Sequence, residues 1–372
     1  MLQVTRSHIY DEEISFFDHP FDVLKIEIGY SLIPIVTGRN KDGLPMLEKL
    51  KRLREEIYEE FGLSVPLIHV QDNMELRPDE YRILLRGVER GRYRYKNGHT
   101  LVIPNDKDCS KYIDTSWEKT KEPAFSMESY FVPEKQALKL KDKGFLVVNA
   151  ATLISTHFKE LLINNKTEIL NQSMVSRLVN NVREKNADVV SDVFFNNSFS
   201  ISNMKCLLNL LLQENVSIYD METILETIAD NIKELKKPYE LVEKVREKLA
   251  FSIITKLTDE KKCVHVITLS EKLSDFLYKS TIEPESENDI PYICIEAPEK
   301  QKLLKKTAEC GREMVEKGFT PIFLCVQAIR LGFSDFVREK MPGCICLSAQ
   351  ELKIVAKEIQ VVVEEELSLN EE

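Results

Sequence analysis

The chain has 372 residues, 43% of them hydrophobic and 30% charged, which is too long for one ordinary core and predicts roughly two to four folding units. Its 61 Asp and Glu against 51 Lys and Arg give a formal charge of −10, which repels phosphate backbones and argues against a nucleic-acid role for the whole chain. No apolar run reaches the roughly 18–20 residues that span a bilayer, the opening "MLQVTRSHIYDEE" lacks a signal peptide's apolar segment, and 8 cysteines in a chain of this length fit reduced thiols, so a soluble, cytoplasmic protein is expected.

In chain order, "YDEEISFFDHPFDVLKIEIGYSLIPIV" ends in strand-like runs of Val and Ile, with Gly29 between them and Pro34 in the second. After the turn signal "GRNKDGLP", Leu47, Leu50, Leu53, Ile57 and Phe61 fall at helical spacing with charged residues on the other face, and Gly62 ends the helix. "LSVPLIHV" and "YRILLRGVE" read as strands on either side of the turn "QDNMELRPDE", so Met46 to Gly87 forms a small β-rich insertion led by one helix. "RGRYRYKNGHTLVIP" reads as a hairpin turning at Asn97-Gly98. Cys109 to Pro133, with Trp117 and the turn-forming "KEPAF", reads as irregular.

From Ala151 to about Ile254 the pattern is helical. "MKCLLNLLLQEN" is a buried helix, Ser217 followed by Asp220 caps the helix carrying Met221, Ile224, Leu225 and Ile228, and Pro238 breaks that pair from "YELVEKVREKLAFSII". Beyond Cys263, "CVHVITL", "YICIEA", "PIFLCV" and "CICLSA" are short strands alternating with helical segments, the order of a compact α/β unit. "EPESENDIP" is a solvated loop.

Three groups that can pass protons or hold a metal lie close together, His69, Asp72 and Asn73. A strand-to-turn junction asks for the same residues, since Asp and Asn close turns through their own backbones, and a histidine in an apolar run is by default a hydrogen-bonded core residue. A hydrolase would also want a nucleophile, and no G-x-S-x-G is present. Cys344 and Cys346 share one face of a strand and with His265 suggest zinc. However, the chain has no C-x-x-C pair, and Cys263, Cys294, Cys325, Cys344 and Cys346 lie in apolar strands where a thiol behaves as a small hydrophobe. Neither glycine-rich nucleotide motif occurs. The alternation in "RGRYRYK" suits stacking on single-stranded nucleic acid, but in a two-stranded ribbon it gives one charged and one aromatic face. By elimination, these residues read as a multi-unit binding scaffold.

The blocks "DVLKIEIGYSLIPIV", "VPLIHVQDNMELRPDEYRILLRGVE", "KEPAF", "GFLVVNAATLISTHFKEL" and "NVSIYDMETILETIAD" occur in this order, from about Asp22 to Asp230. In them the chain resembles the cytoplasmic domain of the FlhA family of flagellar type III export-gate proteins, whose architecture also serves the virulence (injectisome) gate. The resemblance implies an α/β (mixed α+β) fold of four subdomains. After a linker and N-terminal segment at 1–21, these are a discontinuous first subdomain at 22–45 and 86–150, an inserted second at 46–85, a helical third at 151–254 and an α/β fourth at 255–372.

The resemblance further implies self-association into a nine-membered ring, docking of flagellar export chaperones with bound cargo, contact with other export-apparatus proteins, and no enzyme active site, cofactor or nucleic acid. It places the chain at the cytoplasmic face of the bacterial inner membrane, attached through a missing N-terminal transmembrane region. A virulence homologue is the alternative reading, and a metal-dependent hydrolase a more distant one. The family's chaperone site is a shallow apolar dimple marked by D-x-G-F, which resembles "EFGL" here and implies Glu60 and Leu63, with Leu44 and Met46 lining the dimple and Arg94 on its far wall. "DMETILE" departs from the family by carrying Glu222 where arginine is usual.

Overall fold

The computed structural model describes residues 22–38, 45–105, 107–197, 199–286 and 288–369. The chain divides between Ile169 and Leu170 into two compact units.

In unit 1, β1 (Leu24–Ile28) is followed at once by a 3-10 turn and the short helix α1 (Ile33–Thr37). Pro34 has no N–H for a sheet ladder but fits the first turn of a helix, so the apolar run expected as a second strand is helical. α2 (Met46–Phe61) matches the expected helix, burying Met46, Leu50, Leu53, Ile57 and Phe61 and ending at Gly62. β2 (Ile68–Asp72), β3 (Glu80–Leu85) and β4 (Val88–Arg94) complete a sheet of order β2-β1-β3-β4. Within it β1 runs parallel to β2 and antiparallel to β3.

The hairpin lies one strand earlier than expected. Arg86 (φ 51°) and Gly87 (φ 78°) both take the left-handed conformation of a primed two-residue turn and join β3 to β4. At Asn97-Gly98 the chain instead leaves for a second sheet, of order β6-β7-β5-β8. It comprises β5 (His99–Pro104), β6 (Glu118–Lys121), β7 (Glu128–Pro133) and β8 (Phe145–Val148), with α3 (Glu134–Lys141) packed on it. β6 and β7 pair through the stretch expected to be irregular; β6 is short and largely exposed, so it shows no apolar alternation. α4 (Ala150–Asn164), capped by Asn149 Oδ1 accepting the Thr152 N–H at 2.9 Å, packs on α2, and α5 (Lys166–Ile169) closes the unit. Between α4 and the first sheet, the Tyr81 hydroxyl meets His157 Nδ1 at 2.9 Å, and a Cβ on Gly91 would come within 2.8 Å of that imidazole. Burial pushes the His157 pKa down, so the buried ring is kept neutral.

These sheets do not follow the expected subdomain boundaries. β1, from the segment 22–45, is hydrogen-bonded between β2 and β3 of the supposed insertion 46–85, and β4 completes the same ladder. A ladder cannot be shared between separate bodies without orphaning its N–H and C=O groups, so 46–85 does not form a body apart from β1 and β4. α4 and α5, expected in the helical third subdomain, belong to unit 1.

Unit 2 begins with α6 (Gln172–Arg183), α7 (Ala187–Ser191) and a π turn at Asp192–Asn196, then α8 (Ile201–Gln213), α9 (Met221–Asn231) and α10 (Pro238–Thr255). Asp220 caps α9 by accepting the Thr223 N–H, and Pro238 opens α10. The α/β part carries β9 (Cys263–Leu269), α11 (Glu271–Ser280), a two-stranded ribbon of β10 (Thr281–Ile282) and β11 (Tyr292–Ile293), α12 (Ala297–Glu316), β12 (Ile322–Cys325), α13 (Gln327–Arg338), β13 (Ile345–Ser348), α14 (Ala349–Val355) and β14 (Gln360–Leu367). Its main sheet is parallel, of order β13-β12-β9-β14. "YICIEA" supplies only the short β11, outside this sheet, and the edge is taken by "QVVVEEEL".

Five charged side chains are enclosed in unit 2: Arg246 and Arg330 with Glu214, Glu243 and Glu351. Arg330, fully buried on α13, donates Nη1 to Glu214 at 2.6 Å and Nε to Glu243 at 2.9 Å. Arg246 on α10 donates Nη1 to Glu214 at 3.1 Å and Nη2 to the Cys346 carbonyl at 3.3 Å, with Glu351 at 2.8 Å. Burial would raise the Glu214 pKa, but the two guanidiniums outweigh it and hold the carboxyl at about 2. Glu243 has burial dominant and is raised, the expected outcome where three carboxylates share two cations.

Replacing Arg330 by Met leaves Glu214 and Glu243 buried without their cation, and unfolding in urea should show a loss of roughly 3–5 kcal/mol. A change within about 0.5 kcal/mol would show the cluster to be idle. Because the folded Glu214 carboxyl at about 2 sits below its ordinary value of 4.5, its contribution is present above that value and is lost as pH falls toward 2. Stability measured from pH ~5 down to ~3 should therefore fall more steeply in the native chain than in Glu214→Gln.

Candidate functional site

Of the residues implied as a chaperone dimple, two are buried in unit 1. Leu63 and Met46 are both 0% exposed, so neither offers surface to a partner. Leu63 follows the glycine that ends α2, the place where an apolar residue folds back onto its own helix. Met46 starts the same helix, about 22 Å away at 1.5 Å per residue. Glu60 is exposed. Arg94 is exposed but holds Asp79 through Nε at 2.9 Å to both carboxylate oxygens. Leu44 lies outside the described residues. Beside Glu60, Lys166 is buried over the Phe61 ring at 4.5 Å; burial pushes its ammonium down to about 8 against the pull of Glu60 and Glu160. A depression of about 300 Å³ beside α2 is lined by Lys51, Arg54, Glu55, Tyr58, Glu59, Ser64 and Val65, in which charged head groups rim a largely apolar floor.

"HVQDN" is a structural junction. Asn73 Nδ2 donates to Glu27 at 2.7 Å, Gln71 Nε2 at 3.1 Å and Arg82 Nε at 2.7 Å, while Asn73 Oδ1 accepts the Glu75 N–H at 2.8 Å. The organising residue is Glu27, whose carboxyl is driven up by burial but more strongly down by these donors. His69 is not the core histidine expected: it is half-exposed on β2, an edge strand of its sheet, with Nδ1 3.6 Å from Asp22. In "RGRYRYK" the guanidinium groups already hold carboxylates, Arg90 with Glu168 at 2.6 Å and Arg92 with Glu89 at 2.8 Å. Tyr93 packs against Tyr81 at 6.4 Å and Tyr95 edge-on to Phe131 at 5.7 Å, so charged and aromatic side chains alternate as expected, but along β4 and just past it, in a four-stranded sheet rather than in a two-stranded ribbon.

Cys325, Cys344 and Cys346 are buried in the apolar cluster of the unit 2 sheet, whereas Cys294 is exposed just past β11 and Cys263 is half-buried at the start of β9. Burial pushes the Cys346 thiol up, away from the thiolate a metal requires. His265 stands on β9, two strands from β13 and so about 10 Å from its cysteines. Both ring nitrogens face carboxylates instead, Glu364 at 2.7 Å and Asp259 at 3.3 Å. Glu222 lies in the first turn of α9, where a carboxylate suits the helix dipole.

The surface feature that the sequence reading passed over is in "KEPAF". Glu122, only 3% exposed, turns its carboxylate inward and accepts the backbone N–H groups of Ala124 (2.8 Å), Phe125 (2.5 Å) and Met127 (3.2 Å). The turn is closed again by Glu122 N–H to Met127 O at 3.0 Å and Ser126 N–H to Glu122 O at 3.1 Å, with Ser126 at φ 58°. Clasped this way, it holds Phe125 57% exposed and Met127 41% exposed. The available signal was a proline turn ending in an aromatic, with a carboxylate three residues before it.

The chain matches the FHIPEP family over residues 4–357. It is 31% identical over 351 residues to flagellar biosynthesis protein FlhA of Borreliella burgdorferi, covering 94% of this chain and 49% of that protein. Against FlhA of Escherichia coli K12 it is 30% identical, covering 89% and 46%. The chain thus spans about half the length of these curated relatives. Among solved structures it is similar to Chlamydia pneumoniae CdsV, with TM-score 0.80 and 19% identity over 94% of this chain and 98% of that one. It is also similar to nonameric EPEC SctV-C, with TM-score 0.72 and 18% identity over 93% and 98%. No helix among the described residues is long and apolar enough to cross a membrane. With a family match reaching over nearly all of its sequence and the fold of the family's cytosolic domains, the chain belongs to the FHIPEP family, that of the FlhA and SctV export-gate proteins.

Proposed function

We propose that this chain is the docking part of a flagellar type III export gate, and that a chaperone carrying its cargo binds at the Phe125 turn. The observation that carries the reading is a large aromatic kept in water by a turn whose links are made through a buried carboxylate. Exposing Phe125 gives up the roughly 1.5–3 kcal/mol that burying such a side chain returns, which suits a group that is buried only when a partner arrives. An amphipathic chaperone helix can lay an apolar anchor across Phe125 and Met127, helix-on-surface recognition with little area and therefore modest affinity. Modest affinity lets cargo move on.

The flagellar branch is favoured over the virulence branch by identity: the flagellar relatives stand at 26–31%, the similar SctV-type structures at 20% or less. A nine-membered ring follows the nonamer of SctV-C, and contact with a further export component follows the complex of Chlamydia pneumoniae CdsV with CdsO. Attachment at the cytoplasmic face of the inner membrane would run through the half of the relatives that this chain does not span.

Calorimetric titration with a purified flagellar chaperone–cargo complex tests the reading. Phe125→Asp should weaken binding at least about tenfold while circular dichroism stays unchanged, and Glu122→Ala should weaken it by releasing the turn. Leu138→Asp, an exposed change on α3, serves as the control. Equal binding by native chain and Phe125→Asp would displace the site; no binding by a tethered ring of native chains would overturn the function.

A further inference from the structure

β14 is an edge strand of the unit 2 sheet, and its pairing with β9 slips once, between Val363 and Glu365. Glu364, the residue passed over by the slip, reaches across to β9 and places Oε1 2.7 Å from His265 Nδ1. The other ring nitrogen, Nε2, lies 3.3 Å from Asp259 in the turn that precedes β9. Phe319 stacks on the imidazole with centroids 3.6 Å apart, and Lys317 Nζ stands 3.2 Å from the second oxygen of Glu364. The His265 side chain is 14% exposed, so water competes little for these contacts.

Carboxylates accept hydrogen bonds, and an imidazole donates from both nitrogens only when it carries two protons. In the neutral ring one nitrogen is a lone pair, and it would face a carboxylate oxygen. The Glu364 pKa is held below the usual carboxylate range first by the hydrogen bond from His265 and next by that from Lys317. The Asp259 pKa is lowered first by the Cys263 backbone N–H and, against burial, by His265.

We infer that His265, clamped between Asp259 and Glu364, is a proton-operated latch that fastens β14 to its sheet. The charged groups facing it are Asp259 from the α10–β9 turn, Glu364 from β14 and, through Glu364, Lys317 from the end of α12; Phe319 presents only a ring face. The latch contributes while the imidazole carries both protons and is lost when one of them leaves. An edge strand is paired on one side only, so it loosens first when one charge-assisted contact goes.

Hydrogen–deuterium exchange of the full chain, with intrinsic rates divided out, reads the latch through the amides of Gln360–Leu367. Their protection should fall about tenfold as pH is raised from ~5.5 to ~8, the scale of one hydrogen bond to a charged group. His265→Gln, whose donors do not depend on pH in this range, should give protection that no longer falls. Ring nitrogen NMR of native His265 should show both nitrogens protonated at the acid end. The same pH profile in native chain and His265→Gln, or a neutral ring at pH ~5.5, overturns the latch. If His265→Gln disturbs the sheet, Glu364→Gln replaces it: the ring should lose its proton at lower pH than in the native chain, and an unchanged titration counts against the proposal.

Discussion

Unit 2 depends on charges shut away from water, Arg246 and Arg330 among Glu214, Glu243 and Glu351. Removing such ions from water costs several kcal/mol each, a cost offset only when donors and acceptors meet in good geometry. The cluster therefore specifies position more than it adds stability. α13 presents Arg330 to Glu243 on α10 and to Glu214 at the end of α8, while Arg246 reaches the Cys346 carbonyl of β13. A slide of α13 by one turn, about 5.4 Å, would leave a guanidinium buried without a partner. The helical part and the parallel sheet are therefore set against each other by this ionic cluster together with the apolar contacts of Ala250 and Ile254 on Val264, Val266, Ile322 and Leu347.

Unit 1 uses the same device on a smaller scale. Glu27 gathers Gln71, Asn73 and Arg82, fixing the strand-to-turn junction around the β1–β3 part of the sheet. Glu122 gathers backbone N–H groups and sets the turn that carries Phe125. In each case a carboxylate that sequence rules would place in solvent points inward, because fixed donors meet it there.

That explains what the sequence could and could not reveal. α2, the helices of 151–254 and the alternation of strands and helices after Cys263 were legible because apolar period alone decides them. Sheet membership was not, since β1 finds its partners more than forty residues away in β2 and more than fifty in β3, and no local pattern states which ladder a strand joins. Nothing in the sequence marks Arg246 and Arg330 as buried, for periodicity assigns a face without saying that the face is covered. The burial of Leu63, which the resemblance placed on a dimple, was hidden for a related reason. An apolar residue after a helix-ending glycine beside a carboxylate looks like the wall of a site, yet in this backbone it is the helix's own closing contact, and Leu63 is buried. "KEPAF" was readable as a turn, but the exposure of Phe125 follows from Glu122 pointing inward, which only the fold decides.

The same saturation bears on the choice between catalysis and docking. A general base needs a lone pair open to a substrate proton. The oxygens of Glu27 and Glu122 are taken by donors from their own unit, those of Glu214 lie against two guanidiniums, and His265 has a carboxylate at each nitrogen. These groups are therefore committed to holding backbone in place. What the Glu122 turn leaves unsatisfied is hydrophobic area, Phe125 above all, held out by a loop too well bonded to fold over it. Such a feature suits a second apolar surface rather than a bond to be broken, and in the docking proposed at Phe125 a turn already closed by its own hydrogen bonds would lose little conformational freedom.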